Sequence, residues 1–172
     1  VNLDSPEFKL SHTMGLSNVL GGQYQFNRTE LGVYKRFWMG SWGYVDTHLN
    51  GGIEWNKVPF PLLIMPPVNL SFFEHENTFS MMKEFLNDRY VFWSVAWDLN
   101  GKILNRLPLV KHLKWREYVA FKGMWGTLTD KNNPRLLTQN ATDELLFELP
   151  STTQLMDKKV PYMELVVGVH NI

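Results

Sequence analysis

Residues 88–99, DRYVFWSVAWDL, divide into two sets when every second residue is separated out, and no other feature limits the fold of the chain as strongly. Val91, Trp93, Val95, Trp97 and Leu99 form one set, and Tyr90, Phe92, Ser94, Ala96 and Asp98 the other. Successive side chains of an extended strand point to opposite faces, so this stretch is a β-strand with one large apolar face and one mixed face. A soluble core and a lipid bilayer would both accept two tryptophans and two valines in a row. Which of them meets that face decides most of the functional question.

Five further segments repeat the period. Residues 8–17 set Phe8, Leu10, His12, Met14 and Leu16 against Lys9, Ser11, Thr13, Gly15 and Ser17. Residues 24–40 set Thr29, Leu31, Val33, Phe37 and Met39 against Arg28, Glu30, Tyr34 and Arg36, with Lys35 intruding on the apolar set near a rim. After a tight turn at Gly40 and Ser41, residues 42–52 oppose Val45, Thr47 and Leu49 to Tyr44, Asp46, His48 and Asn50. Residues 114–128 and 162–171 complete the series. Strands of roughly 10 to 15 residues exceed the usual 5 to 6 of globular sheets and approach the 9 to 11 of membrane barrels.

The connections make an independent test. Long loops are expected at 56–87 and 129–160, and the remaining links are expected to be short. In an up-and-down meander both long loops fall at one end, with the Gly40 turn at the other, as in outer-membrane barrels. Glu76 and Asn132 would mark the external loops and Ser41 the periplasmic side. A short helix is expected over Ser80 to Leu86 with Ser80 as its N-cap, following the extended proline run of VPFPLLIMPPV. Two further strands, near 68–74 and 144–149, are the competing arrangement, which would complete a small barrel.

Composition excludes several classes. Seventeen Lys plus Arg balance seventeen Asp plus Glu, which leaves no basic field for nucleic acid. No cysteine is present to make disulfides or thiolate metal sites. No run approaches the roughly 20 apolar residues of a spanning helix. A mean hydropathy of −0.23 fits a soluble protein and a membrane barrel alike, because only alternate residues of a barrel meet lipid. Seven tryptophans suit the aromatic girdles of such a barrel. The opening VNLDSPEF has neither the basic nor the apolar region of a signal peptide, so either the protein is cytoplasmic or the chain is a mature or internal piece.

The fold class expected is all-β, an antiparallel transmembrane β-barrel, with about six long strands in this chain. The lipid-facing set is then Leu31, Val33, Val91, Trp93, Val95, Trp97, Val119, Phe121, Leu165 and Val167. The lumen-facing polar set is Arg28, Glu30, Arg36, Asp46, His48, Asp98, Arg116, Lys122, Glu164 and His170, together with Lys9. Mixed charges of this kind suit a wet or ion-paired lumen and are expensive in a dry core. A soluble β-sandwich or lipocalin-like binder is the alternative; it would invert the two faces and bury the Trp and Val sets.

Candidate chemical sites carry little. Asp46 and His48 share a strand face as metal ligands might, but no third ligand can be named and an ion pair in the lumen explains them. The EHE of Glu74 to Glu76 reads as a solvated loop tip. Ser11 and His12 point to opposite faces and cannot act as nucleophile and base. The glycine pairs at 21 and 51 read as turn residues and not as a phosphate loop. No catalytic residue, metal or cofactor is expected. The basic run KHLKWR, Lys111 to Arg116, suits lipid headgroups at one rim or a solvated strand entry equally.

The order TMGLSNVLGGQYQFNRTELGVYKRFWMGSWGYVDTHLNGGIEWNKVPFPLL, ENTFSMMKEFLNDRYV, NGKILNRLPLVKHLKWREYVAFKGMWG and VPYMELVVGVHNI resembles the C-terminal barrel of Bacteroidota outer-membrane proteins. Those barrels are domains of unknown function behind a carboxypeptidase-like regulatory domain, related to the BamA-like surface-antigen superfamily. The resemblance implies that residues 1–172 are an internal portion of one barrel domain of sixteen strands, with two strands following Ile172. It implies an outer-membrane location and work in assembly or translocation of envelope components, with a passive channel or structural barrel as the alternative. The implied partners are outer-membrane lipid, lipopolysaccharide among the candidates, and other envelope proteins in a complex. Residues 56–87 would occupy the place of a loop that folds into the lumen in BamA-like proteins. The Arg-Gly-aromatic motif of that loop is missing here, and an external loop folded on itself is an equal expectation.

Overall fold

A computed structural model describes residues 5–68, 78–80, 84–133, 151 and 153–171. The described residues form eight strands: β1 (Glu7–Gly15), β2 (Phe26–Trp38), β3 (Tyr44–Glu54), β4 (Glu84–Leu86), β5 (Arg89–Asp98), β6 (Trp115–Thr127), β7 (Thr153–Leu155) and β8 (Tyr162–Asn171). Six of them make one antiparallel sheet in the order β1-β2-β3-β5-β6-β8, so the six alternating segments are its six strands. No α-helix occurs among the described residues.

Register decides the faces. Leu10 pairs with Leu31, Val33 with Leu49, Leu49 with Trp93, Val95 with Phe121, and Phe121 with Leu165. A slip of one residue at any pairing would transfer a whole strand's side chains to the other face, so this agreement across five pairings makes one unbroken apolar surface. The opposite face carries Lys9, Arg28, Glu30, Arg36, Asp46, His48, Asp98, Arg116, Lys122, Glu164 and His170 by the same pairings.

The apolar surface is the bare one. Leu10, Leu165 and Val167 are 75%, 70% and 73% exposed, whereas Glu54 and Lys122 on the opposite face are 0% and 3% exposed. The core lies on the polar side, where the described parts of the long connections fold over the half of the sheet near Gly15, Glu54 and Thr127. Phe79, Phe92, Met124 and Met156 make one buried cluster, and Val58, Leu63, Leu86 and Leu128 another.

Three local expectations are corrected. Glu84–Leu86 is a strand, not the end of a helix over Ser80 to Leu86. Extended backbone sends Phe85 to the first cluster and Leu86 to the second, which adjacent positions on a helix could not do as well. The long loops contain paired structure, because β4 and β7 align in parallel and residues 64 and 87 form an isolated bridge. The link over residues 99–114 is also not short; it holds the 3-10 turns Leu104–Arg106 and Val110–Leu113 and lies at the same end as the Gly40–Trp42 turn.

β1 and β8 are the two edges of the sheet and do not pair with each other. β4 and β7 form a separate two-stranded sheet. The competing seventh and eighth strands, near 68–74 and 144–149, lie outside the described residues apart from Val68. Glu74 to Glu76 lie outside them as well.

Candidate functional site

The polar face is two different surfaces joined along the strands. At the turn end, where β2 meets β3, charged side chains are neutralised from strand to strand. Arg36 donates from Nε and Nη2 to the two oxygens of Asp46, each at 2.7 Å, in the bidentate geometry that planar guanidinium and carboxylate favour. Tyr34 donates to the same carboxylate at 3.1 Å, and the guanidinium lies 4.0 Å from the centre of the Tyr44 ring. Tyr44 in turn donates to Asp98 at 3.3 Å, and Nε2 of His170 comes within 3.1 Å of the same Asp98 oxygen. Tyr118 stacks on His170, carrying the belt across β2, β3, β5, β6 and β8.

This belt accounts for Arg36, Asp46, Asp98 and His170, which were placed on one face from the sequence. It also removes the metal reading of Asp46 and His48: Asp46 is occupied by Arg36 and Tyr34, and the His48 ring packs at 4.5 Å on Tyr34. Among the described residues no group of three or more His, Asp or Glu is arranged to hold a metal ion.

At the other end the polar face is covered by the chain itself. Arg28 lies 3.5 Å from the buried Glu54 carboxylate and donates to the Leu62 carbonyl. Glu30 accepts from Tyr90 at 3.0 Å. Lys122 donates to the Thr78 carbonyl at 3.3 Å, and Glu164 accepts from the Ser80 N–H and the Tyr162 hydroxyl, both at 2.8 Å. Phe79 meets Phe92 and Tyr162 edge to face. The described part of residues 56–87 therefore lies against the polar face of the sheet. Between that face and the proline-rich segment remains a cavity of about 460 Å³, bordered by Arg28, Glu30, Asn50, Tyr90, Met65 and Pro67.

A clamp that sequence reasoning missed holds the cover in place. The Asp88 carboxylate accepts from the Thr129 N–H at 3.1 Å, from the Thr129 hydroxyl and from Asn132 Nδ2 at 3.0 Å. Asn132 also donates to the Asn56 carbonyl at 3.2 Å and accepts from the Val58 N–H at 2.9 Å. Asn132 is thus buried, although its place in a long loop suggested an external tip. The partners lie 41 to 76 residues apart in the chain, so no local spacing announces the clamp.

The family described as "Family of unknown function (DUF5686) C-terminal domain" matches residues 1–132. The chain belongs to that family. The match takes in β1 to β6 and the Asp88 and Asn132 clamp, so both halves of the polar face of this DUF5686 C-terminal domain are built largely within it. No curated protein and no solved structure matches the chain.

Arg116 lies on the polar face by its register with His170 and borders an open cleft at the turn end, with Lys111, His112 and Lys114.

Proposed function

We propose that this DUF5686 C-terminal domain is a section of the wall of an outer-membrane β-barrel, with its bare apolar face toward lipid and its polar face toward a lumen that its own long connections partly fill. The observation that carries this reading is the inversion of burial across the sheet. Six strands present exposed Leu, Val, Phe and Met on one side while Glu54, Asp98 and Lys122 are buried on the other. Water would make so wide an apolar surface costly, and hydrocarbon removes the cost.

The tryptophans support the same orientation. Trp42, Trp97 and Trp115 gather at the turn end of the apolar side, where Trp97 donates to the Trp42 carbonyl at 2.9 Å. Trp55 and Trp125 stand at the opposite end, their indole N–H groups donating to Thr29 at 2.9 Å and to the Lys158 carbonyl at 2.8 Å. Trp115 and Trp125 are ten residues apart on β6, which is roughly 33 Å along the strand and roughly 25 Å along the normal at a tilt near 40°. That span equals the apolar band of outer-membrane barrels, about 25 Å tall.

In hydrocarbon the outer edges of β1 and β8 require partners, because their N–H and C=O groups have no water to bond. On this reading further strands, sixteen in all by the family resemblance, complete the ring. The covered inner face argues against an open passive pore. The activity we assign is the assembly or translocation of envelope components, of the BamA-like type that the sequence resemblance implies, in company with other envelope proteins.

Depletion in the native host followed by an outer-membrane proteome tests the activity: other barrel proteins should fall in abundance. An unchanged proteome with altered small-solute permeability would replace assembly by a channel role. Partition of the full-length protein into the aqueous phase in a detergent extraction would overturn the membrane reading itself.

A further inference from the structure

The link over residues 99–114 builds a surface that neither the wall nor the cover uses. Its open cleft, about 560 Å³, is bordered by Asn100, Asn105, Lys111, His112, Lys114 and Arg116. Three permanent cations and a histidine share this rim, and no carboxylate borders it. The two nearest in sequence are engaged elsewhere: Glu117 accepts from the Ile103 N–H at 2.6 Å, and Asp98 accepts from the Asn100 N–H at 2.7 Å. Among the described residues no acidic side chain pairs with Lys111, Lys114 or Arg116. Like charges gathered without counter-charge repel one another, and an anion in the cleft relieves that repulsion.

The same link is also apolar toward solvent. Leu109 is 87% exposed, and Ile103, Leu107 and Leu113 are about half exposed. Trp115, within the basic run, begins the apolar face of β6, and Lys102 ties the link back to the opposite turn by donating to Ser41 at 3.0 Å and lying over the Trp42 ring. A free anion has no use for bare leucines. An amphiphile with one phosphate and two acyl chains meets both halves of the surface.

We infer that this cleft is a headgroup site for an anionic phospholipid of the leaflet at the turn end, its phosphate held by Lys111, Lys114 and Arg116 and its acyl chains laid past Leu109 and Leu113 onto the apolar face. The inference rests on the barrel reading, which puts this end on the periplasmic side, opposite the long connections. Asn100 and Asn105 supply neutral donors for the glycerol or headgroup hydroxyls. A bound lipid would fasten the longest link at this end to the bilayer surface.

Full-length protein purified in neutral detergent and stripped of lipid allows the test by native mass spectrometry. Titration with phosphatidylglycerol should give retained adducts at least about tenfold tighter than with phosphatidylcholine. In the triple variant Lys111→Gln, Lys114→Gln, Arg116→Gln that preference should vanish. Leu109→Ser with Leu113→Ser should weaken both lipids. Equal retention of phosphatidylglycerol by the wild type and a folded triple variant would overturn the site, as would equal affinity for the two lipids in the wild type. Displacement of phosphatidylglycerol by millimolar inorganic phosphate would also overturn it, in favour of a free-anion site. If the triple variant fails to fold, the single exposed change Lys111→Glu gives the same reading through its loss of preference. A wild type that partitions into detergent but shows no preference sinks the site alone, whereas one that stays in the aqueous phase sinks the barrel reading.

Discussion

Val95 and Ser94 are neighbours on β5 that live on opposite sides of the sheet, Val95 exposed on the apolar face and Ser94 buried on the polar one. In lipid the Val95 side chain meets acyl chains, so Val95→Arg near the strand's middle should cost about 2 to 4 kcal/mol, while Val95→Leu should be nearly neutral. Denaturant unfolding of the full-length protein in lipid vesicles measures both, and an arginine tolerated there would count against lipid contact. The turn between β2 and β3 supplies a backbone counterpart. Gly43 has φ +81°, and a Cβ there would sit 1.9 Å from the Asp98 carbonyl oxygen, whereas at Gly40, with φ +59°, nothing lies within 4 Å. Gly40→Ala should therefore lose about 1 to 2 kcal/mol from left-handed strain alone. Gly43→Ala adds a backbone collision that no side-chain rotation relieves, and it should lower the unfolding midpoint distinctly more.

The elements differ in how much of their structure a sequence can announce. β2, β3, β5, β6 and β8 declared themselves through a period of two that depends only on neighbours, and the same period sorted Arg36, Asp46, Asp98 and His170 onto one face. Lys35 fits its apparent intrusion on the apolar side, since its amine rests 5.6 Å from the Phe37 ring. An inward-folding loop over residues 56–87 was one of two equal expectations, but the contacts that fasten the cover were not legible, because they join residues remote in sequence: Arg28 with Glu54 and Leu62, Lys122 with Thr78, Asp88 with Asn132. The strand at Glu84–Leu86 hid for a similar reason, as three residues are too few to show a period and their partner is Thr153–Leu155. Asn132→Ala examines the cover as a unit. It strips the buried Val58 N–H of its acceptor and Asp88 of a donor, which should cost about 2 to 3 kcal/mol. Hydrogen exchange should rise in residues 56–64 and 128–133 while the central strands β3 and β5 stay protected. Equal exchange in cover and strands would mean that Asn132 supports the whole sheet and not the cover.

At the scale of the molecule, the meander fixes which connections share an end, and the membrane reading turns that into sidedness. The link between β1 and β2 and the connection before β8 lie at the end with the cover, whereas the Gly40–Trp42 turn and the 99–114 link lie at the other. Asn132 is buried and makes a poor probe, so exposed positions must replace it. Leu20 and Lys159 are exposed at the first end, Ser41 and Arg106 at the second. Single changes Leu20→Cys, Lys159→Cys, Ser41→Cys and Arg106→Cys in the full-length protein, which has no native cysteine in these 172 residues, report the sidedness directly. A maleimide that cannot cross the outer membrane should label Leu20→Cys and Lys159→Cys on intact cells, and the other two only after the membrane is permeabilised. The two members of each pair come from different connections, so agreement within a pair tests the strand order and contrast between pairs tests the crossing. Labelling of all four on intact cells would remove the bilayer from between them, and with it the reason for an exposed apolar face six strands wide.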